Sequence, residues 1–310
     1  MVEASFESTR EAPSRMDSLV DSNAQLRVSL VGHATVGIQL GEHLVLTDPV
    51  LTNTVGMVSK RTVKLPIDPT RIGPLDAVLI SHMHFDHLSL GSLAMLEKRI
   101  RMLLMPEGGL VYLTDFSFPA YDLAPWEAVR MGDVTYTAVP VDHVGFRYGI
   151  DAAWMRAFTG WVVQHGGLTV MIGGDTAYDS AKFRTIGRKF PKIDVAILPI
   201  APIAPRDFMR RTHMDPDEAL RAFEDMGARL FIPMHFDTFT NSLDEVGDAE
   251  RALAVAAHAR GIAPARICAL PIGGQVTLLD KGAAADSDFS REGCVALGAD
   301  TLPAVSGPAH

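Results

Sequence analysis

His82-Met83-His84-Phe85-Asp86-His87 packs three imidazoles and a carboxylate into six residues. Before it runs Leu75-Asp76-Ala77-Val78-Leu79-Ile80-Ser81, an apolar segment of strand length. The motif therefore falls where a buried strand opens into a loop. The period-2 alternation of extended chain turns His82 and His84 to one side, and Asp86 and His87 follow about one turn later, placed to face a second ion. Imidazole and carboxylate at this density are the ligand chemistry of a metal site.

At 310 residues the chain is one large domain or two small ones, long enough to bury a core without staples. Only Cys268 and Cys294 are present; they could pair, but two cysteines make no disulfide framework, so a reducing cytoplasm is the expected location. Neither lies near the motif, which leaves nitrogen and oxygen ligands. A formal net charge of −9 argues against a broad nucleic-acid-binding face. The polar first 25 residues lack the basic start and apolar run of a signal peptide. The longest apolar stretch, Val195 to Pro205, is broken by Pro199, Pro202 and Pro205 and is too short for a membrane span.

Residues 1–25 read as a loose polar arm. Strand patterns follow at 27–31, 36–40 and 44–47, with Gly41-Glu42 as a hairpin turn and Asp48-Pro49 ending the third strand. Residues 51–73, with Lys60, Arg61, Lys64 and Arg71, read as a long loop. A helix is expected over about 89–98. In the second half strands repeatedly run into a metal-capable residue: 134–140 into Asp142-His143, 168–172 into Gly173-Gly174-Asp175, 230–234 into His235. Strand 194–200 leads instead into an apolar loop. A helix starts at Asp215, the N-cap of a capping box closed by Glu218, and stops at Gly227. Another covers about 247–260 with Gly261 beyond its end. A last strand lies within 271–279. Residues 281–310 read as a flexible tail, leaving 26–280 as the folded domain. Clustered strands with intervening helices imply an α/β sandwich.

The chain resembles the metallo-β-lactamase fold superfamily through residues 82–87, Thr47-Asp48-Pro49, His143, Asp175 and His235. The resemblance implies a four-layer αββα sandwich with metals at one edge between the sheets. Gly32-His33-Ala34-Thr35, Gly173-Gly174-Asp175-Thr176-Ala177-Tyr178, Pro205-Arg206-Asp207-Phe208-Met209 and His213-Met214-Asp215-Pro216-Asp217-Glu218-Ala219 are similar to the N-acyl-phosphatidylethanolamine-hydrolysing phospholipase D family and its bacterial relatives. The L-ascorbate-6-phosphate lactonases share the metal motif.

The resemblance assigns His82, His84 and His143 to one metal, Asp86, His87 and His235 to the other, and Asp175 to both. A carboxylate bridge would screen two divalent cations about 3.5–4 Å apart, with a hydroxide held between them as nucleophile. Zinc is the default for this ligand set, with manganese or iron as alternatives. Asp48 is expected to orient a metal-bound histidine. His213 is expected to line the active site, and with Asp86 and Asp48 completes the candidate catalytic set. Arg206, Arg210, Arg211, Lys60 and Arg61 are the candidate cations for an anionic substrate. His33 and Tyr178 are taken as pocket or packing residues with no assigned role; His43, His165, His258 and His310 are taken as structural or exposed.

The expected activity is hydrolysis of a small-molecule or lipid phosphodiester, with lactone or other carboxylic-ester hydrolysis as the rival. An iron-dependent oxidoreductase and a non-catalytic binding module rank below these. No transmembrane segment is expected, peripheral membrane contact is left open, and the oligomeric state is not readable.

Overall fold

The computed structural model describes residues 9–56 and 59–295. The first sheet is built from β1 (Ala24–Gly32), β2 (Thr35–Leu40), β3 (His43–Thr47), β6 (Ala77–Leu79), β7 (Leu103–Pro106), β8 (Ala120–Leu123) and β15 (Gln275–Asp280), in the order β15-β1-β2-β3-β6-β7-β8. The second is built from β9 (Ala128–Met131), β10 (Val134–Val139), β11 (Gly160–His165), β12 (Leu168–Ile172), β13 (Val195–Pro199) and β14 (Leu230–Met234), in the order β14-β13-β12-β11-β10-β9. Each sheet is antiparallel on one side and parallel on the other, the change falling at β3/β6 and β12/β13.

Alternation along the strands sets the layers. Val45, Ala77 and Leu79 face inward and join Leu26, Val28, Val36 and Ile38 against Val162, Val170 and Ile197 of the second sheet. Their neighbours Leu44, Leu46, Val78 and Ile80 face outward and pack with Leu93 and Leu96 of α1 (Leu90–Leu96). Helices α2 (Ser180–Lys189), α4 (Pro216–Met226) and α5 (Asp248–Ala259) cover the other side through Phe183, Ile186, Leu220, Phe223 and Leu253. A one-turn helix α3 (Arg206–Met209) precedes α4. The result is the expected αββα sandwich. Both faces of each sheet are covered, so its central strands are apolar throughout rather than alternating. Each fully buried Leu, Val or Ile contributes about 1.5–3 kcal/mol relative to exposure.

The helix at 216 forms as its sequence dictates. Asp215 accepts from the Glu218 N–H at 2.9 Å, Glu218 closes the capping box, and Gly227 ends the helix at φ 67°. The sequence reading passed over α2, whose Thr185 and Gly187 are poor helix formers. Tertiary packing explains Gly187: a Cβ there would lie 2.6 Å from the Met226 carbonyl oxygen of α4.

Three expectations need correction. The arm is not loose over its described part: Arg10 bridges to Val63, and Met16 and Leu19 bury against the outer face of the first sheet. Residues 1–8 lie outside the described residues. The 51–73 loop contains a hairpin of β4 (Thr54–Val55) and β5 (Ser59–Lys60) and a 3-10 turn at Pro69–Arg71. The tail is docked as far as residue 295. Ser290 N–H donates to Leu278 O at 2.9 Å, Val295 N–H to Ala269 O at 2.8 Å, and Phe289 packs on the core. Cys294 of this segment forms a disulfide with Cys268, which removes the premise of the reducing-compartment argument. The rest of the tail, with His310, lies outside the described residues. No helix among the described residues is long and apolar enough to cross a membrane.

Candidate metal centre

The loops at one end of the sandwich carry the motif residues. Parallel pairing sets Thr47 beside Leu79, so Asp48 and Ser81 emerge together; Asp48 N–H donates to Leu79 O at 2.9 Å. His82 follows directly and bridges to Phe158, and Thr159 N–H donates to Ser81 O at 2.8 Å, which ties the two sheets at this point. His87 and Leu88 donate back to His84 O, folding the motif into a turn. Gly174, at φ 59°, takes Asp175 past the end of β12; a Cβ on it would sit 2.4 Å from Ser81 Cβ.

Four imidazoles are held by Nδ1. His87 Nδ1 lies 2.8 Å from Asp48 Oδ2, and His82 Nδ1 3.0 Å from Ser81 Oγ. His143 Nδ1–H donates to Thr212 O at 2.8 Å, and His235 Nδ1–H to Ala201 O at 3.0 Å. Fixing Nδ1 selects the tautomer whose Nε2 lone pair points inward. His84 turns the other way and presents Nδ1, 2.8 Å from His82 Nε2 and 3.4 Å from His143 Nε2.

Two groups of donors result. One is His82, His84 and His143; the other is Asp86, His87 and His235 with His33 beside them. Asp175 lies between. Its Oδ2 is 3.4 Å from His87 Nε2, 3.9 Å from His143 Nε2 and 4.0 Å from His82 Nε2, and its Oδ1 is 3.1 Å from His235 Nε2. That last contact lacks hydrogen-bond geometry, and Asp175 Oδ1 is buried with no partner. His87 Nε2 and His235 Nε2 face each other at 3.2 Å.

This arrangement fits divalent cations. Four donors set tetrahedrally at about 2.0–2.1 Å from an ion stand about 3.3–3.4 Å apart. Converging lone pairs and an orphaned carboxylate oxygen are costly in a dry interior without a positive charge among them.

Electrostatics keep most donors in ligand form. Burial pushes His82 well below its ordinary value and His143 down to about 3. Asp86 and Asp175 stay well below the usual carboxylate range: burial opposes this, but the surrounding imidazoles outweigh it. His87 moves the other way, because Asp175, Asp48 and Asp86 outweigh its burial. A proton on His87 and a cation would compete for the same nitrogen.

Asp48 stands where the sequence reading put it. Its Oδ1 accepts from Ser81 N–H at 2.7 Å, and its Oδ2 accepts from Ser81 Oγ–H at 2.6 Å and meets His87 Nδ1. His213 is also in place, its Nδ1 buried, unpartnered and 3.6 Å from Asp175 Oδ2. Burial pulls it down to about 4.

The expected cations fare less well. Arg61 is buried: it donates to Thr52 O and Val50 O and covers the Phe239 ring at 4.9 Å, and burial lowers it to about 10. It ties the end of β5 back to the segment that leads into β4, and its burial leaves it no exposed face for a substrate. Arg206 is held by Asp215 at 3.2 Å and by Glu218, and donates to His213 O at 3.1 Å. It therefore fixes the His213 loop. Lys60, Arg210 and Arg211 are exposed.

Sequence reasoning gave no role to three residues. His33 Nε2 lies 3.0 Å from Asp86 Oδ2, with its ring 3.8 Å from that of His235. Ser81 links Asp48 to two imidazoles. Arg147, buried, donates to Met83 O and Leu88 O, each at 2.9 Å, and lies 4.3 Å over the Phe85 ring. Only the Gly32-His33 resemblance carried a signal for any of them.

The Beta-lactamase superfamily domain matches residues 43–236. The chain belongs to this superfamily and has the metallo-β-lactamase fold. It is 30% identical over 239 residues, 70% of this chain, to N-acyl-phosphatidylethanolamine-hydrolyzing phospholipase D 1 of Caenorhabditis elegans, and spans 65% of that protein's length. It is 29% identical to a UPF0173 metal-dependent hydrolase of an Exiguobacterium species, over 69% of this chain and 87% of the relative. The metallo hydrolase Igni18 from Ignicoccus hospitalis superposes with a TM-score of 0.61 at 18% identity, covering 81% of this chain and 97% of Igni18. At that identity the likeness concerns the fold.

Proposed function

We propose that this chain is a dinuclear metal-dependent hydrolase that cleaves a lipid phosphodiester in the manner of a phospholipase D. One observation carries the metal chemistry: two groups of donors share Asp175, whose two oxygens reach toward both. His82, His84 and His143 would hold one ion, and Asp86, His87 and His235 the other. When bound, such a pair supplies Lewis acidity and an acidified water. Zinc suits the ligands best, manganese next. Asp48 fixes the His87 ring, and His213, neutral near pH 7, is placed to donate a hydrogen bond to a substrate oxygen.

A lipid substrate is supported by the surface beside the motif. Tyr148, Ile150 and Trp154 are exposed on one loop, with Leu110, Val111 and Phe85 exposed nearby. Tyr148 lies 5.8 Å from Phe85 and 6.0 Å from Tyr112, ring to ring. Arg147 secures this loop to the metal motif. Aromatic and aliphatic side chains together suit the bilayer interface. Similarity to the nematode phospholipase adds to this reading. Lys60, Arg210 and Arg211 remain the cations for the anionic head group.

One observation favours lactone or ester hydrolysis instead: Arg61 and Arg206 are committed internally, which leaves fewer cations for a phosphate. The test is product analysis by mass spectrometry. Metal-loaded chain is incubated with N-acyl-phosphatidylethanolamine in mixed micelles, with Asp86→Ala as control. Release of N-acylethanolamine and phosphatidic acid by the parent alone is expected. No release from chain with confirmed metal content, together with turnover of a lactone panel, would overturn the phosphodiester reading.

A further inference from the structure

The far end of the sandwich holds a second cluster. The strands β3, β10 and β11 each have one end at the metal centre. Their other ends lie about 16 Å away, the length of five extended residues. There His43 opens β3, Asp133 sits in the Gly132-Asp133 turn before β10, and His165 closes β11. Their donor atoms lie within 4.8 Å of one another. His43 Nε2 is 2.9 Å from Asp133 Oδ1, His165 Nδ1 is 3.5 Å from Asp133 Oδ2, and the imidazole centroids are 4.9 Å apart.

We propose that His43, Asp133 and His165 form a separate binding site for one divalent transition-metal cation, clamping the first sheet to the second at the end remote from the active site. Two further observations point to a ligand. His165 Nδ1 is buried and has no hydrogen-bond partner. His43 presents Nε2 to the cluster while its Nδ1 faces Asp76 Oδ1 at 3.5 Å. Asp76 is itself fixed, accepting from Leu44 N–H at 3.0 Å and from Arg101 at 2.8 Å. A held carboxylate behind an imidazole is the arrangement that orients a metal-ligating histidine.

Glycine makes room for the second imidazole: a Cβ on Gly41, whose φ is 58°, would lie 3.0 Å from His165 Nε2. Asp133 is exposed on its turn, so its carboxylate is free to close on an ion, and solvent can complete the coordination. Two imidazoles and one carboxylate suit zinc, nickel, cobalt or copper; calcium and magnesium prefer all-oxygen sites. None of these residues touches the candidate active site, so this site stands or falls independently of the proposed activity.

The experiment compares parent, Asp133→Asn and His165→Ala full chains, each loaded with excess zinc, gel-filtered and analysed for metal per chain. The same three proteins are melted with and without zinc on an Asp175→Ala background, which weakens the other centre. The expected result is one zinc fewer per chain in both single variants, and a zinc-dependent rise in melting temperature that both lose. Asp133→Asn keeps the turn, so it reads binding even where His165→Ala fails to fold. Zinc content and zinc-dependent melting equal to the parent's in Asp133→Asn would overturn the proposal and leave the cluster as solvent-facing ion pairs. Because the readout is a difference between variants, it holds whatever the other centre binds.

Discussion

Asp48→Asn tests the link between strand packing and metal affinity most sharply. Asp48 sits at φ 35°, a left-handed conformation that Asn tolerates better than most residues, so the substitution adds little backbone strain. The amide oxygen can still accept from Ser81 N–H. At the Oδ2 position the carboxylate becomes an NH2 donor. Ser81 Oγ can rotate to accept from it, but the Nδ1–H of His87, now 2.8 Å from an acceptor, faces a donor. One buried charge-assisted hydrogen bond is lost, worth about 1.5–3 kcal/mol. Loss of the group that orients a ligating histidine lowers metal affinity about 10–100-fold, or about 1.4–2.7 kcal/mol, which agrees. The assay is zinc competition against a chromophoric chelator at neutral pH, with circular dichroism as a fold control. The binding event that involves His87 is expected to fall by that factor, with a smaller change in the other, since Ser81 also contacts His82. Parental affinity at both sites would refute the role of Asp48; equal losses at both with an altered fold would make it a structural residue.

Three other outcomes follow from the same geometry. Gly174→Ala forces a Cβ to within 2.4 Å of Ser81 Cβ at φ 59°, so metal content is expected to drop while far-ultraviolet circular dichroism is kept; full metal content would contradict the close approach. Asp215→Ala removes the cap of α4 and should lower stability by about 1 kcal/mol in urea titration, with no change in slope. Reducing Cys268–Cys294, 26 residues apart, should lower stability by roughly 3–4 kcal/mol on the loop-entropy argument, and an unchanged urea midpoint under reductant would show that docking of residues 281–295 needs no covalent tie.

The sequence by itself determined the fold class and most of the centre. A strand running into His82–His87, and later strands running into His143, Asp175 and His235, placed seven donors at strand ends. Parallel packing of such strands must gather those ends at one edge. The caps of α4 were equally legible, because Asp215, Pro216 and Gly227 act through local backbone chemistry. The residues alone made Asp48 legible only as the end of a strand; its role in orienting a histidine came from the family resemblance. Its partner Ser81 became visible once β3 and β6 were paired in register. Only the tertiary structure decided the rest. Arg61 and Arg206 look like free cations until packing supplies the carbonyls and carboxylates that occupy them. Met16 and Leu19 look like part of a polar arm until the outer face of the first sheet offers them a place to bury. Helix α2 depends on a backbone approach at Gly187 that propensity counts against. His43, Asp133 and His165 are 122 residues apart from first to last and share no motif; three antiparallel hairpin turns and the stacking of two sheets bring them together. Local signals fix what each segment prefers. Partnership between distant side chains is set by layer packing, which no single segment encodes.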